Sequence, residues 1–215
     1  MRIHFGNIPP IADAQPEAEG LHPIRGPRAS AAYLLAGLAG FLLLCGPVMG
    51  LCLLSSLFAV PGTEAAPSPD PPAPWGAMLL TLVLYIPVHE LFHLICQPHL
   101  GLSDQSVLVI WPSRLRFGIY YDGCMSRTRW LLMRSAPLIA LSLIPAVVLA
   151  ILQNSALDHA LRTSLEVLLV VNGVGSGGDA VAMILVLFQV PRSAQLCFRG
   201  GRAYWQPARP EGRGL

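Results

Sequence analysis

The 215-residue chain has no lysine: all 14 of its basic side chains are arginine. We read that bias as a mark of a GC-rich genome and not of mechanism. Charge of either sign is scarce. Only 12% of residues are charged, 53% are hydrophobic, and the mean hydropathy is +0.56. That balance excludes an ordinary soluble domain and fits a protein that crosses a bilayer several times. The net charge of +2, with no basic patch interleaved with aromatics, excludes a nucleic-acid partner. Cysteine is sparse and irregular: Cys45, Cys52, Cys96, Cys124 and Cys197 make an odd count with no CxxC pair. No disulfide framework is expected from it. Residues 1–30 lack the basic start, apolar stretch and small-residue cleavage site of a signal peptide, and five prolines mark them as an irregular tail.

What is present is a set of long apolar runs. An all-α membrane fold with four transmembrane helices is expected, at about 31–60, 77–97, 136–152 and 164–190. The tail 191–215 is polar. Arginine orients the spans. Arg2, Arg25 and Arg28 precede the first, Arg114, Arg116, Arg127, Arg129 and Arg134 lie between the second and third, and five more follow the fourth. Only Arg162 falls on the opposite side. The positive-inside rule therefore places both termini and the 98–134 section in the cytoplasm, in a multi-pass protein of the cell (inner) membrane. Within 98–134, Ser106–Trp111 and Leu115–Tyr121 are rich in β-branched and aromatic residues. They flank Pro112-Ser113-Arg114, as in a small β-hairpin. Residues 126–134 have the composition of a short interfacial helix.

The second span carries the chemistry. It contains His89-Glu90-Leu91-Phe92-His93. Ionisable side chains inside hydrocarbon are costly and mark function. On a helix His89 and His93 share one face, so both imidazoles can hold one Zn2+, and Glu90 sits beside them as a general base. A catalytic zinc normally takes a third protein ligand. The fourth span offers Asn172, Ser176 and Asp179, spaced to share one helical face. His89 and Asp179 each lie about a dozen residues from the outer start of their spans, so at ~1.5 Å rise per residue they reach similar depth. Two polar clusters at one depth can share an ion. Pro87 and the glycines between 173 and 178 would loosen the two spans and admit water.

The His89–His93 run, followed after a further span by Ser176-Gly177-Gly178-Asp179, resembles a family of membrane zincin metallopeptidases over roughly residues 77–190. That family is similar in logic to the site-2 intramembrane zinc proteases. Those pair a His-Glu-x-x-His helix with a later Asp, preceded by an Asn, on another helix. The resemblance implies His89, His93 and Asp179 as metal ligands, Glu90 as catalytic base, and Asn172, with Ser176, on the substrate or oxyanion side. Site-2 proteases usually carry prolines between the Asn and the Asp and a glycine after the Asp. Here the glycines come before Asp179, and Ala180 follows it.

The expected activity is zinc-dependent endopeptidase action in or beside the membrane, hydrolysing peptide bonds with a metal-activated water. The expected partners are a membrane protein or peptide substrate and the lipid bilayer. The 106–121 hairpin is placed to clamp an unwound substrate by strand addition. The rival expectation is a non-enzymatic scaffold or regulatory subunit that binds zinc or merely packs these residues. A metal or ion transporter fits less well, because a permeation path needs more polar positions than two clusters.

Overall fold

The computed structural model describes residues 1–6, 19–26, a few positions between 35 and 50, 74–114, 116–152, 158–199 and 202–208. The expected first span, 31–60, lies almost wholly outside the described residues.

Strand β1 (Arg2–Phe5) and the two-residue strand β2 (His22–Pro23) belong to the N-terminal tail. Helix α1 (Trp75–Cys96) follows. It is inside-out by soluble standards: Leu79, Leu80, Val83, Leu84 and Ile86 are exposed, whereas His89 and His93 are buried. Such a helix is stable only if its outer face meets something as apolar as itself.

The expected hairpin is present as β3 (Ser106–Trp111) and β4 (Arg116–Tyr121), antiparallel and joined through a 3₁₀ turn at Pro112–Arg114. The three-residue β5 (Cys124–Ser126) leads into α2 (Arg127–Leu138), where the Ser126 hydroxyl caps the helix by accepting from the Arg129 amide at 3.3 Å. The stretch 126–134, expected as a separate interfacial helix, is instead the first part of this long helix. It continues through a π-helical stretch, Ile139–Leu143, into α3 (Ile144–Ile151). Pro137 and Pro145 do not break it. Pro137 meets an i−4 carbonyl that bonds elsewhere, and Pro145 sits in the first turn of α3.

The last apolar run is two helices: α4 (His159–Gly175), capped by the Asp158 carboxylate, and α5 (Gly177–Gln189). They bend by 47° at Ser176. Among the described residues two helices, Trp75–Cys96 and the continuous Arg127–Ile151, are long and apolar enough to cross a membrane, and the bent pair makes up to three.

Segments of both tails form sheet, which the reading of 1–30 as irregular and of 191–215 as merely polar missed. β6 (Gln195–Arg199) and β7 (Arg202–Gln206) make an antiparallel hairpin. One three-stranded sheet has the order β1-β3-β4, with β1 parallel to β3; a four-stranded sheet has the order β2-β7-β6-β5. The N-terminal segments thus pair with both the middle section and the C-terminal segment. Met125, Trp130, Met133, Val186, Val190 and Leu196 form the main core where α2, α5 and β6 meet.

The β5–β6 register sets Cys124 opposite Cys197, and they are disulfide-bonded. The expectation of no disulfide is corrected by a pair 73 residues apart in sequence. Strand register creates that proximity, so spacing alone cannot show it. Cys96 is free.

Candidate metal centre

The site is assembled from four helices and one strand. Tyr85, His89, Glu90 and His93 come from α1. The Met133 carbonyl and Arg134 come from α2, Asn172 from α4, Asp179 from α5, and the Ile119 amide from β4.

The two histidines are fixed by what their far nitrogens touch. His93 Nδ1 lies 2.9 Å from the Met133 carbonyl oxygen. In an unbroken helix the amide of residue 137 would take that carbonyl, but residue 137 is proline and has no N–H. Pro137 therefore frees the acceptor that His93 uses. A carbonyl only accepts, so His93 Nδ1 carries the proton and Nε2 presents a lone pair.

His89 is set by Asn172. The Asn172 amide nitrogen donates to the Pro137 carbonyl at 3.0 Å and to Ser142 Oγ at 2.8 Å. That leaves its carbonyl oxygen for His89 Nδ1, at 2.8 Å. His89 Nδ1 is then also the protonated nitrogen, and its Nε2 is bare. Ser142 lies in the π-helical stretch, a feature that recurs at functional positions. Asn172 and Ser142 are fully buried.

Asp179 closes the arrangement. It sits in the first turn of α5, where the helix dipole favours a carboxylate. Its Oδ2 is 3.3 Å from His89 Nε2 and 3.2 Å from His93 Nε2; its Oδ1 accepts from Arg134 Nη1 at 2.7 Å. Two bare imidazole nitrogens and one carboxylate oxygen thus converge on one buried point. With both rings neutral, three acceptors face one another and repel unless a proton or a metal ion lies among them. Tetrahedral zinc with ligand bonds of about 2.0–2.1 Å holds its donors roughly 3.3 Å apart. The observed separations fit that donor set.

Glu90 stands to one side. It joins His89 and His93 in a group of side chains close enough to hold a metal ion. Its Oε2 is already occupied, however, accepting from the Ile119 amide at 2.6 Å. Of the two carboxylates, Asp179 is the better third ligand, because one of its oxygens touches both histidines. Glu90 remains an adjacent base. It faces β4, whose outer edge carries that amide, and a side chain at Gly118 would stand 3.9 Å from it.

All the residues expected from sequence gather here: Asp179 meets His89 and His93, Glu90 stands beside the two histidines, and Asn172 bonds His89. Ser176 is buried at the α4–α5 break, where its hydroxyl donates to the Asn172 oxygen at 3.3 Å. Neither Asn172 nor Ser176 faces an open cleft: both support the ring of His89. Ser142 and the Met133 carbonyl went unnoticed in the sequence, and Arg134 was read there only as a charge that orients the spans. Tyr85 lies edge-on to His89. Its hydroxyl lies where a Cβ on residue 175 would stand, and Gly175 leaves that space open. Arg134 had a signal, being a charge five residues beyond Arg129 in a helix long and apolar enough to cross a membrane. A backbone carbonyl leaves no signal except the proline that frees it.

Comparison with known families adds one finding. The family model described as "Putative zincin peptidase" matches residues 82–195, more than half of the chain. The chain belongs to that family. The matched region holds the whole constellation, from His89 to Asp179, and the family implies zinc as the metal. Comparisons with curated proteins and with solved structures give no match.

Proposed function

We propose that this zincin-family chain is a zinc-dependent endopeptidase whose active site lies within or just beneath the membrane. The observation that carries the reading is the contact of Asp179 Oδ2 with both Nε2 atoms, beside a second carboxylate, Glu90, that the Ile119 amide holds by one oxygen. His89, His93 and Asp179 would hold the ion. When bound, zinc supplies electrophilic activation of water and of the scissile carbonyl. Asn172 and the Met133 carbonyl keep the rings in the tautomer and orientation that ligation needs. Glu90 takes a proton from the attacking water on one carboxylate oxygen and returns it to the leaving amine. The Ile119 amide holds the other oxygen and so aims the carboxylate. β4 is an edge strand whose Ile119 amide meets Glu90, and an extended segment of a membrane protein or peptide would add to the sheet there as a further strand.

Four crossings, with both termini on one side, belong to the same proposal. Pairing of β1 with β3, and of β2 with β7, supports it, because strands that share a sheet lie on one side of a membrane. The side itself draws opposing observations. Arginine distribution favours the cytoplasm, whereas a disulfide between Cys124 and Cys197 favours an oxidising compartment. Membrane-impermeant maleimide applied to intact cells, with and without prior reduction, decides. We expect no labelling in either case, with the bridge on the inner side. Labelling of Cys124 only after external reduction would invert the topology.

The test of the metal centre is elemental analysis of detergent-purified protein. About one zinc per chain is expected in the native sequence and almost none in His93→Ala. A native chain without metal, prepared free of chelators, would remove the enzyme reading.

A further inference from the structure

Arg134 is the one cation that touches a candidate ligand among the described residues, and neither the family match nor the metal-centre reading assigns it a task. Its Nη1 donates to Asp179 Oδ1 at 2.7 Å, while Oδ2 of the same carboxylate faces the two histidines. The guanidinium is carried on the face of Trp130, 5.3 Å from the ring centroid, and Trp130 is itself fully buried in the main core. Arg134 Nε is buried and has no hydrogen-bond partner. The side chain is therefore not held in place by a general polar network: one ion pair and one aromatic face determine where it lies.

A carboxylate beside a divalent ion can ligate through one oxygen or both, and the choice changes the coordination number. Here the two oxygens are already divided. We propose that Arg134 is a positioning residue that occupies Asp179 Oδ1, so that Asp179 ligates through Oδ2 alone and the metal keeps an open position for water. The inference rests on the zinc-centre reading above. Arginine suits the task better than lysine, because its planar fork stacks on Trp130 while one arm donates. The same contact holds Asp179 in the direction of the histidines before any ion arrives, and outer partners of this kind are typically worth about 10–100-fold in metal affinity.

The test uses the full chain in detergent, titrated with zinc against a chromophoric chelator and separately loaded with Co2+ as a spectroscopic probe. The native protein should bind tightly and give the intense visible bands of four-coordinate cobalt. Arg134→Met should weaken zinc binding by about 10–100-fold and lower the cobalt band intensity toward the five-coordinate pattern. Arg134→Lys should recover part of the affinity but not the full spectrum. Should Arg134→Met fail to fold, as judged by melting of the metal-free protein, Trp130→Leu is read instead: it removes the aromatic support and should move both readouts in the same direction, by less. Unchanged zinc affinity and an unchanged cobalt spectrum in a folded Arg134→Met protein would overturn the role. Native protein that binds neither metal would instead remove the underlying centre, a result that cannot be confused with the former.

Discussion

Glu90→Gln is expected to lower peptide hydrolysis by about 10²–10⁴-fold while leaving zinc content unchanged. The substitution is nearly isosteric. The glutamine carbonyl can still accept from the Ile119 amide, which the glutamate does at 2.6 Å, so β4 should keep its place over α1. What disappears is the capacity to hold a proton. Because Glu90 is not among the three convergent donors, the ion should stay. The measurement is turnover of a quenched-fluorescent peptide library by the detergent-purified protein, paired with zinc per chain. Retention of more than a tenth of native turnover would show that another group is the base. Loss of zinc together with activity would make Glu90 a ligand and displace Asp179 from that part. A scaffold that merely binds metal would show no hydrolysis in either form.

Asp179→Ala should have the second large effect, and in two currencies. Zinc should fall to background, because one of three ligands is gone. Stability should fall as well. Arg134 would lose its anion partner, and removing one member of a buried ion pair costs about 3–5 kcal/mol. Arg134 is 24% exposed, so the lower end, about 3 kcal/mol, is the expected loss. The double replacement Asp179→Ala with Arg134→Met should regain part of that stability without regaining zinc, because it removes the stranded charge but not the missing ligand. Thermal unfolding of metal-free protein in detergent reads the first quantity, and elemental analysis reads the second. If the single replacement melts with the native protein, the ion pair contributes nothing.

How much of this was legible in the sequence differs by level. The gathering of the candidate site residues was readable because polar residues in apolar runs are conspicuous: His89, Glu90, His93 and Asp179 stand out against their surroundings, and helical spacing does the rest. The helices were readable for the same reason, though not their breaks. Ser176 bends the fourth apolar run because glycines flank it on both sides, and a periodicity argument averages over that. The supporting contacts were largely hidden. The acceptor for His93 is a main-chain carbonyl, and its availability depends on Pro137 four residues on, a relation that exists only once α2 is known to be continuous there. The tails were underestimated for a different reason. β1, β2, β6 and β7 are two to five residues long, and each is stabilised by pairing with residues far away. Gly200-Gly201, between alternating runs, was a usable hairpin signal. Nothing local announces that Arg2–Phe5 will lie parallel to Val107–Ile110.

The bridge between Cys124 and Cys197 has a further consequence. It closes a covalent ring that runs out through α2 and α3, back through α4 and α5, and home through β6. Arg134, Asn172 and Asp179 ride on the ring; His89, Glu90 and His93 ride on the stem that enters it. A chain severed between α3 and α4 would leave the two histidines on one fragment and Asp179 on the other, still fastened together through sulfur. After such a cut the two fragments stay covalently joined until a reductant opens the ring.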